Sequence, residues 1–370
     1  MKVCILTSVH HPFDTRIFHK QAKTLVKAGY DVTLIAQHDN NEVVDRVKIV
    51  ALPKPKNRFW RMLGTWRVFK LALKQRAEVY HFHDPELIPV AVLIKLARRS
   101  IIYDVHEDIP KQILTKEWLP SYSRGFVSRL FALIERVSFP FFDAVVLAGE
   151  DIASHLPHSS KVVVIRNFPL LEVVKRIGKR EKDRKEFALL IYVGGLTEDR
   201  GAREMVEVAN HMKSKARLIL VGSFFDSYLE AELRAKASKE VRFTGWVPYE
   251  QVFSFLSEAD IGLVCFHPTP NNIAASWRNN KLFEYMAAGL PVIASNFPLW
   301  KEIVEGNNCG LTADPLNPEE IAKAVEYLIQ HPDEARKMGE NGRKAVVVKY
   351  NWETESKKLI AVYKKLLKAR

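Results

Sequence analysis

Short apolar runs alternate with longer amphipathic stretches along nearly the whole chain. In the first half the runs are Val3–Val9, Val32–Ala36, Val79–Phe82, Ile101–Val105, Ala144–Leu147 and Val162–Ile165. Each is rich in β-branched or aromatic residues and bounded by polar or turn residues, the pattern of a buried strand. The segments between them have helical spacing; Lys20–Ala28, for example, stops at Gly29, a residue suited to closing a helix. A second series, Leu189–Val193, Leu218–Val221, Val241–Phe243, Ile261–Val264 and Val292–Ala294, repeats the arrangement. This alternation predicts an α/β protein with parallel sheets and helices on both faces.

The charge run that separates the two series, from Glu172 to Glu186, reads as a linker over residues 171–186. The expected organisation is therefore two doubly wound, Rossmann-like domains facing across a cleft. Residues 1–170 form the first and 187–351 the second, and a helix over 352–370 ends the chain. A length of 370 residues fits two domains better than one.

Composition narrows the function. Cys4 and Cys265 sit inside apolar runs, Cys309 stands alone, and no Cys-x-x-Cys pair points to structural zinc. His81 and His83 alternate onto one strand face, but two ligands fall short of a zinc set, so no metal is expected. No apolar run reaches membrane-spanning length, and MKVCILTSV reads as a first strand and not as a secretion signal, so a cytoplasmic protein is expected.

The net charge of +13 is uneven: residues 1–170 hold 25 Lys and Arg against 16 Asp and Glu, a net of +9. From Arg46 to Arg76 there is no acid at all. Within that stretch, Arg58–Lys74 reads as a helix with Phe59, Met62, Leu63, Trp66, Phe69 and Leu73 on one side and Lys70 interrupting. Arg61, Arg67 and Lys74 lie elsewhere on it. Aromatics beside cations suit an interfacial helix on anionic lipid, against the plainer reading of a sheet-packing helix. Trp118 and Phe126–Phe142, with Arg124, Arg129 and Arg136, could extend that surface. No nucleic-acid module is visible, so a nucleic-acid partner is not expected.

Ligands of doubly wound sheets bind beyond the carboxyl ends of strands. In the first half those ends carry His10-His11-Pro12-Phe13-Asp14, His83-Asp84-Pro85-Glu86 and His106-Glu107-Asp108, titratable groups suited to a hydroxylated acceptor. Asp14 and Arg16 could grip that acceptor or pair with each other. In the second half the ends carry Gly194-Gly195, Gly222-Ser223 and Gly245-Trp246, which let backbone amides approach a phosphate. Arg200, just before Gly201 and a helix, adds a guanidinium fork. Asn280–Ala288 reads as an amphipathic helix closed by Gly289, with Glu284 flanked by Phe283, Met286 and Ala287. A carboxylate in that setting needs a partner.

The order GGLTEDRG, ILVG, VRFTGWVPYEQVFSFLSEADIGLVCFHP and NKLFEYMAAGLPVIAS resembles the retaining GT-B glycosyltransferases of family 4. HHPFDTRIF, YHFHDPELI, YDVHED and KVVVIRNFP extend the resemblance, less specifically, through the first half. The resemblance implies transfer of a sugar from a nucleotide diphosphate sugar, UDP- or GDP-linked, with retention and without a metal cofactor. It implies a last helix returning to the first domain. Glu284 matches the second Glu of the family's Glu-x7-Glu motif, which binds the donor ribose. Arg200 matches the cation on the donor diphosphate, and Gly194 and Gly195 the glycine turn beside it. His106 matches the His that approaches the donor sugar; Asn167 matches an Asn before the hinge.

Two departures stand out: Ser276 occupies the place of the first Glu, and Gly195 the place of a usual Arg. Lys281, one turn before Glu284, could replace that charge. The expected sites are thus His106, Arg200 and Lys281 for catalysis, and Gly194, Gly195, Gly222, Asn280 and Glu284 for the donor. His11, Asp14, Arg16, His83 and Glu107 are the acceptor candidates. The acceptor implied is a lipid-linked saccharide or glycan at the inner membrane face, in cell-surface polysaccharide or glycolipid synthesis. A nucleotide-sugar 2-epimerase, or a nucleotide-binding scaffold without activity, remain as alternatives.

Overall fold

The computed structural model of the protein describes residues 1–116, 119–152, 154–177, 187–212 and 215–368, and of Arg58, Phe59, Met62, Leu63 and Tyr249 the backbone alone. Trp118 and residues 178–186 lie outside the described residues. The chain forms two compact units, Met1–Asn167 with Thr354–Arg370, and Phe168–Glu353.

Among the described residues the first unit is built on eight strands: β1 (Lys2–Leu6), β2 (Asp31–Gln37), β3 (Glu42–Val44), β4 (Val47–Leu52), β5 (Val79–Phe82), β6 (Ser100–Val105), β7 (Ala144–Leu147) and β8 (Val162–Val164). Their order is β3-β4-β2-β1-β5-β6-β7-β8, parallel except for the antiparallel pairing of β3 with β4. Strand β4 falls in the acid-free stretch where no strand is anticipated. Its sequence VKIVAL buries Val47, Ile49, Val50 and Leu52, which suffices to pair it with β2. Strand β1 stops at Leu6, three residues short of expectation, because Thr7 and Ser8 turn away to bond Asp84.

The second unit contains β9 (Ala188–Val193), β10 (Ala216–Val221), β11 (Val241–Gly245), β12 (Ile261–Val264), β13 (Val292–Ser295) and β14 (Gly310–Ala313), all parallel in the order β11-β10-β9-β12-β13-β14. The expected linker is partly wrong. Leu171–Ile177 is a helix of this unit, and it buries Val173, Val174 and Ile177 in the core. Three apolar side chains anchor a segment whose overall charge suggested solvent.

Each sheet has one place where strand order reverses, beside β1 in the first unit and beside β9 in the second. Loops leaving the carboxyl ends of adjacent strands diverge there and open a crevice. Thr7–Asp14 and His83–Glu86 meet at the first reversal. Gly194–Arg200 and Cys265–His267 meet at the second.

Candidate functional site

At the second unit's reversal, β9 ends in Gly194 and Gly195. Gly194 has φ +140° and Gly222, at the end of β10, φ +145°, a region side chains rarely adopt. A Cβ on Gly194 would collide with the Lys281 arm, one on Gly195 with Phe225 and the Arg200 guanidinium, and one on Gly222 with the Gly194 carbonyl. These three glycines therefore let two cations close over bare backbone. Arg200 Nη1 lies 3.4 Å from the Gly195 carbonyl, which also accepts a 2.9 Å hydrogen bond from the Tyr192 hydroxyl. The next strand end contributes Phe266, whose ring centre lies 6.0 Å from the Arg200 guanidinium carbon and 5.6 Å from Lys281 Nζ.

Lys281 stands in the first turn of the Asn280–Ala288 helix, which Asn279 caps through a 3.1 Å bond to the Lys281 amide. Burial first, and then the Arg200 charge, push its ammonium down to about 8, while Glu284 one turn later works against both. Arg200, Lys281, Glu284, Gly194, Gly195 and Gly222 thus converge within one unit. Asn280 opens the same helix and is half-buried, as is Glu284. Ser276 does not replace the missing acid. It is buried, and its hydroxyl donates to the Ile273 carbonyl at 2.6 Å.

Two like charges near aromatic rings, with one carboxylate beside them, leave positive charge uncompensated. That arrangement stabilises an incoming anion more than it stabilises itself.

The first unit gathers a different cluster. Asp104 is fully buried in β6 and accepts from Arg16 at 2.9 and 3.3 Å and from Gln21 at 2.5 Å. Burial would raise its pKa, yet the Arg16 guanidinium and the surrounding imidazoles outweigh it and hold the carboxyl well below the usual range. His81 Nε2 lies 3.4 Å from Asp104, and His81 Nδ1 meets the Tyr363 hydroxyl of the final helix at 2.9 Å. His83 Nδ1 and His106 Nε2 are 3.0 Å apart. Burial depresses both, His83 well below its normal value and His106 to about 4, so both are neutral at pH 7.

These contacts correct several acceptor candidates. Arg16 is 4% exposed and spent on Asp104, and His83 is 3% exposed. Both belong to the buried Asp104 network and are not offered at the surface. Asp14 makes no ion pair with Arg16; its carboxylate caps the Thr15–Ala22 π-helical turn by accepting from the Arg16 and Ile17 amides at 2.8 and 2.9 Å. His11 and Glu107 are exposed, His106 half-buried. Lys20 rather than a ligand engages Asn167, at 2.6 Å. Asp84, absent from the expected set, holds the first loop by accepting from Thr7, Ser8 and Val9. Asp104 was also missed, although an acid inside the apolar strand IIYDV signals a buried partner.

His81, His83 and Asp104 place ligand atoms within 4.8 Å of one another. A cation there would have to share Asp104 with the Arg16 guanidinium, which already neutralises it.

The surface of the first unit is also uneven. The Ser121–Ser138 helix buries Ser128, Glu135 and Ser138, and it exposes Tyr122, Phe126, Leu130, Leu133, Ile134 and Val137. Polar groups thus face in and apolar groups out, the reverse of a helix against water. Tyr122 is 88% and Phe126 71% exposed. The Arg58–Gln75 helix exposes Trp60, Trp66 and Leu73 and buries Val68 and Ala72. Its Arg61 pairs with Glu86 at 2.9 Å, so Arg61 is not the free cation its sequence position suggested. The roles expected of Phe59, Met62 and Leu63 concern side chains outside the described residues. No described helix is long and apolar enough to cross a membrane.

The two parallel-sheet units have the fold of the GT-B glycosyltransferases of known structure. Residues 174–345 match the family model for glycosyl transferases group 1, and residues 15–167 that for the glycosyl transferase 4-like domain. The chain belongs to this glycosyltransferase family, and it is an enzyme of the sugar-transferring class. It is 19% identical to glycogen synthase of Mycobacterium tuberculosis over 94% of its own length and 90% of the relative's. Over 149 residues, 39% of this chain and 38% of the relative, it is 32% identical to the GDP-mannose-dependent phosphatidylinositol monomannoside mannosyltransferase of the same organism. The fold matches sucrose-phosphate synthase from Thermosynechococcus elongatus with a TM-score of 0.73 at 17% identity, covering 100% of this chain and 99% of that one.

Proposed function

We propose that the enzyme transfers a sugar, with retention, from a UDP- or GDP-linked donor to a lipid-linked or glycan acceptor at the inner membrane face, in cell-surface polysaccharide or glycolipid synthesis. The observation that carries this reading is the convergence of Arg200 and Lys281 over the Gly194–Gly195 turn. In it the donor diphosphate lies between the two cations, and Glu284 accepts from the ribose hydroxyls. As the anomeric carbon–oxygen bond breaks, negative charge grows on the leaving diphosphate, where Arg200, Lys281 and strand-end amides stabilise it. The same phosphate accepts the acceptor hydroxyl's proton, so no protein nucleophile is needed. His106 of the first unit, neutral at pH 7, remains the catalytic candidate that the family resemblance assigns to the donor sugar.

The membrane reading is supported by the outward apolar face of the Ser121–Ser138 helix, whose Arg129 and Arg136 are exposed while its one acid is buried. The reaction is proposed to need no metal, since two side-chain cations perform the charge neutralisation and Arg16 occupies Asp104.

The test is a panel of nucleotide sugars screened by thermal shift, followed by transfer assays with the stabilising donor and NMR of the new anomeric centre. Retention of configuration and insensitivity to chelators are expected. An inverted product overturns the mechanism, and donor turnover without any acceptor would identify an epimerase instead.

A further inference from the structure

A pocket of about 480 Å³ opens in the first unit between the Pro53–Lys56 segment after β4 and the opening turns of the Arg58–Gln75 helix. Leu52 and Val68 are buried beneath it, Trp60, Pro53 and Pro55 form an apolar wall, and Lys54, Lys56, Arg61 and Arg67 supply charge. Arg61 is tied to Glu86. Among the described residues no ion pair engages Lys54, Lys56 or Arg67, and the positive end of an 18-residue helix lies at the same mouth. The inner end is polar and ordered. Ser8 lines it, donating to Glu86 at 2.8 Å through its hydroxyl and to Asp84 at 2.6 Å through its amide, while Gln37 donates to its carbonyl at 2.5 Å. Ser8 therefore joins the pocket to the loops of the first reversal point.

Three cations without an ion pair among the described residues, beside a wall of one indole and two prolines, floored by apolar side chains and closed by polar groups, suit a phosphate attached to a polyhydroxyl group. We propose that this pocket binds the phosphate of a phosphorylated acceptor, a phosphosugar or the headgroup of a phospholipid. This names the acceptor class for the transfer proposed above and rests on that reading. The anion sits against Lys54, Lys56 and Arg67, and the ring carrying it stacks on Trp60.

The pocket can be read without turnover. The full chain is labelled with 5-fluorotryptophan, the Trp60 ¹⁹F resonance is assigned with Trp60→Phe, and glucose 6-phosphate is titrated against glucose. A saturable Trp60 shift with the phosphosugar alone is expected, with a dissociation constant raised at least tenfold in Lys54→Glu/Lys56→Glu/Arg67→Glu and unchanged in Arg200→Ala. The other tryptophan resonances report that the variants are folded. A second arm co-sediments the protein with phosphatidylglycerol vesicles: release by glucose 6-phosphate assigns the phosphate to lipid, and a Trp60 shift without such release assigns it to a soluble acceptor. An unmoved Trp60 resonance, or a shift that survives the triple substitution, overturns the site. Failure of the sugar-transfer reading would show instead as nucleotide binding that is absent, or that Arg200→Ala leaves unchanged, which this resonance does not report.

Discussion

Lys281→Met separates the cost of the anion site from its use. The ammonium is held at about 8 against an ordinary 10.5. At roughly 1.4 kcal/mol per pH unit, that depression means the charged form is ~3 kcal/mol less stable in the folded protein than in water. Lys281 is only half-buried, so solvent screens part of this and on the order of 1–3 kcal/mol remains. Methionine keeps the aliphatic packing on Gly194 and removes the charge. The unliganded variant should therefore be more stable than the wild type at pH 7 by about that amount.

The sign has a second consequence. Between pH 8 and 10.5 the unfolded chain binds more protons than the folded one, so the wild type gains stability as pH rises through that window and Lys281→Met does not. With a saturating nucleoside diphosphate that advantage is offset, because a charged hydrogen bond worth ~1.5–3 kcal/mol is lost and affinity falls roughly ten- to a hundredfold. Denaturant unfolding from pH 7 to 10, paired with calorimetric titration, measures both. An unliganded variant less stable than the wild type, with nucleotide affinity unchanged, would refute the reasoning.

Glu284→Ala should weaken nucleotide binding by ~1–3 kcal/mol through loss of a carboxylate-accepted hydrogen bond; unchanged affinity in the same calorimetry would remove Glu284 from the site. Asp104→Asn should cost about 3–5 kcal/mol in unfolding experiments, because Arg16 is left buried without its counter-charge. In the wild type, stability should decline as pH falls from 6.5 toward 4, where unfolded histidines take up protons that His83 and His106 resist. It should decline again below about 4, where Asp104 of the unfolded chain takes up a proton that the folded carboxylate resists; a flat acid profile would contradict the buried network. Phe126→Glu/Leu130→Glu/Leu133→Glu should abolish co-sedimentation with anionic vesicles while leaving the melting temperature within a few degrees, since all three side chains are exposed.

Much of this was legible in the chain. Buried parallel strands announce themselves as apolar runs, so the series from Val3 to Ala294 marked both sheets, and glycines at strand ends marked the cationic crevice. What periodicity could not supply was partnership. Arg16 and Asp104 are 88 positions apart, and nothing local shows that a cation in a loop and an acid in a strand consume each other. The same limit let Leu171–Ile177 pass as linker, because three buried side chains outweigh a charge run only once a core exists to receive them. Strand β14, GLTA, was too short and too polar to stand out; Gly310 is required there because a Cβ would strike the Val292 backbone. The Ser121–Ser138 helix shows the remaining ambiguity: amphipathic spacing gives two faces but does not say which one water sees.

The most direct measurement is the structure of the enzyme with its nucleotide diphosphate sugar bound. Both phosphates should lie within hydrogen-bond reach of the Arg200 guanidinium and the Lys281 ammonium above Gly194 and Gly195, with the pentose hydroxyls on Glu284. A nucleotide seated elsewhere, or a Glu284 carboxylate turned away from it, would contradict the account.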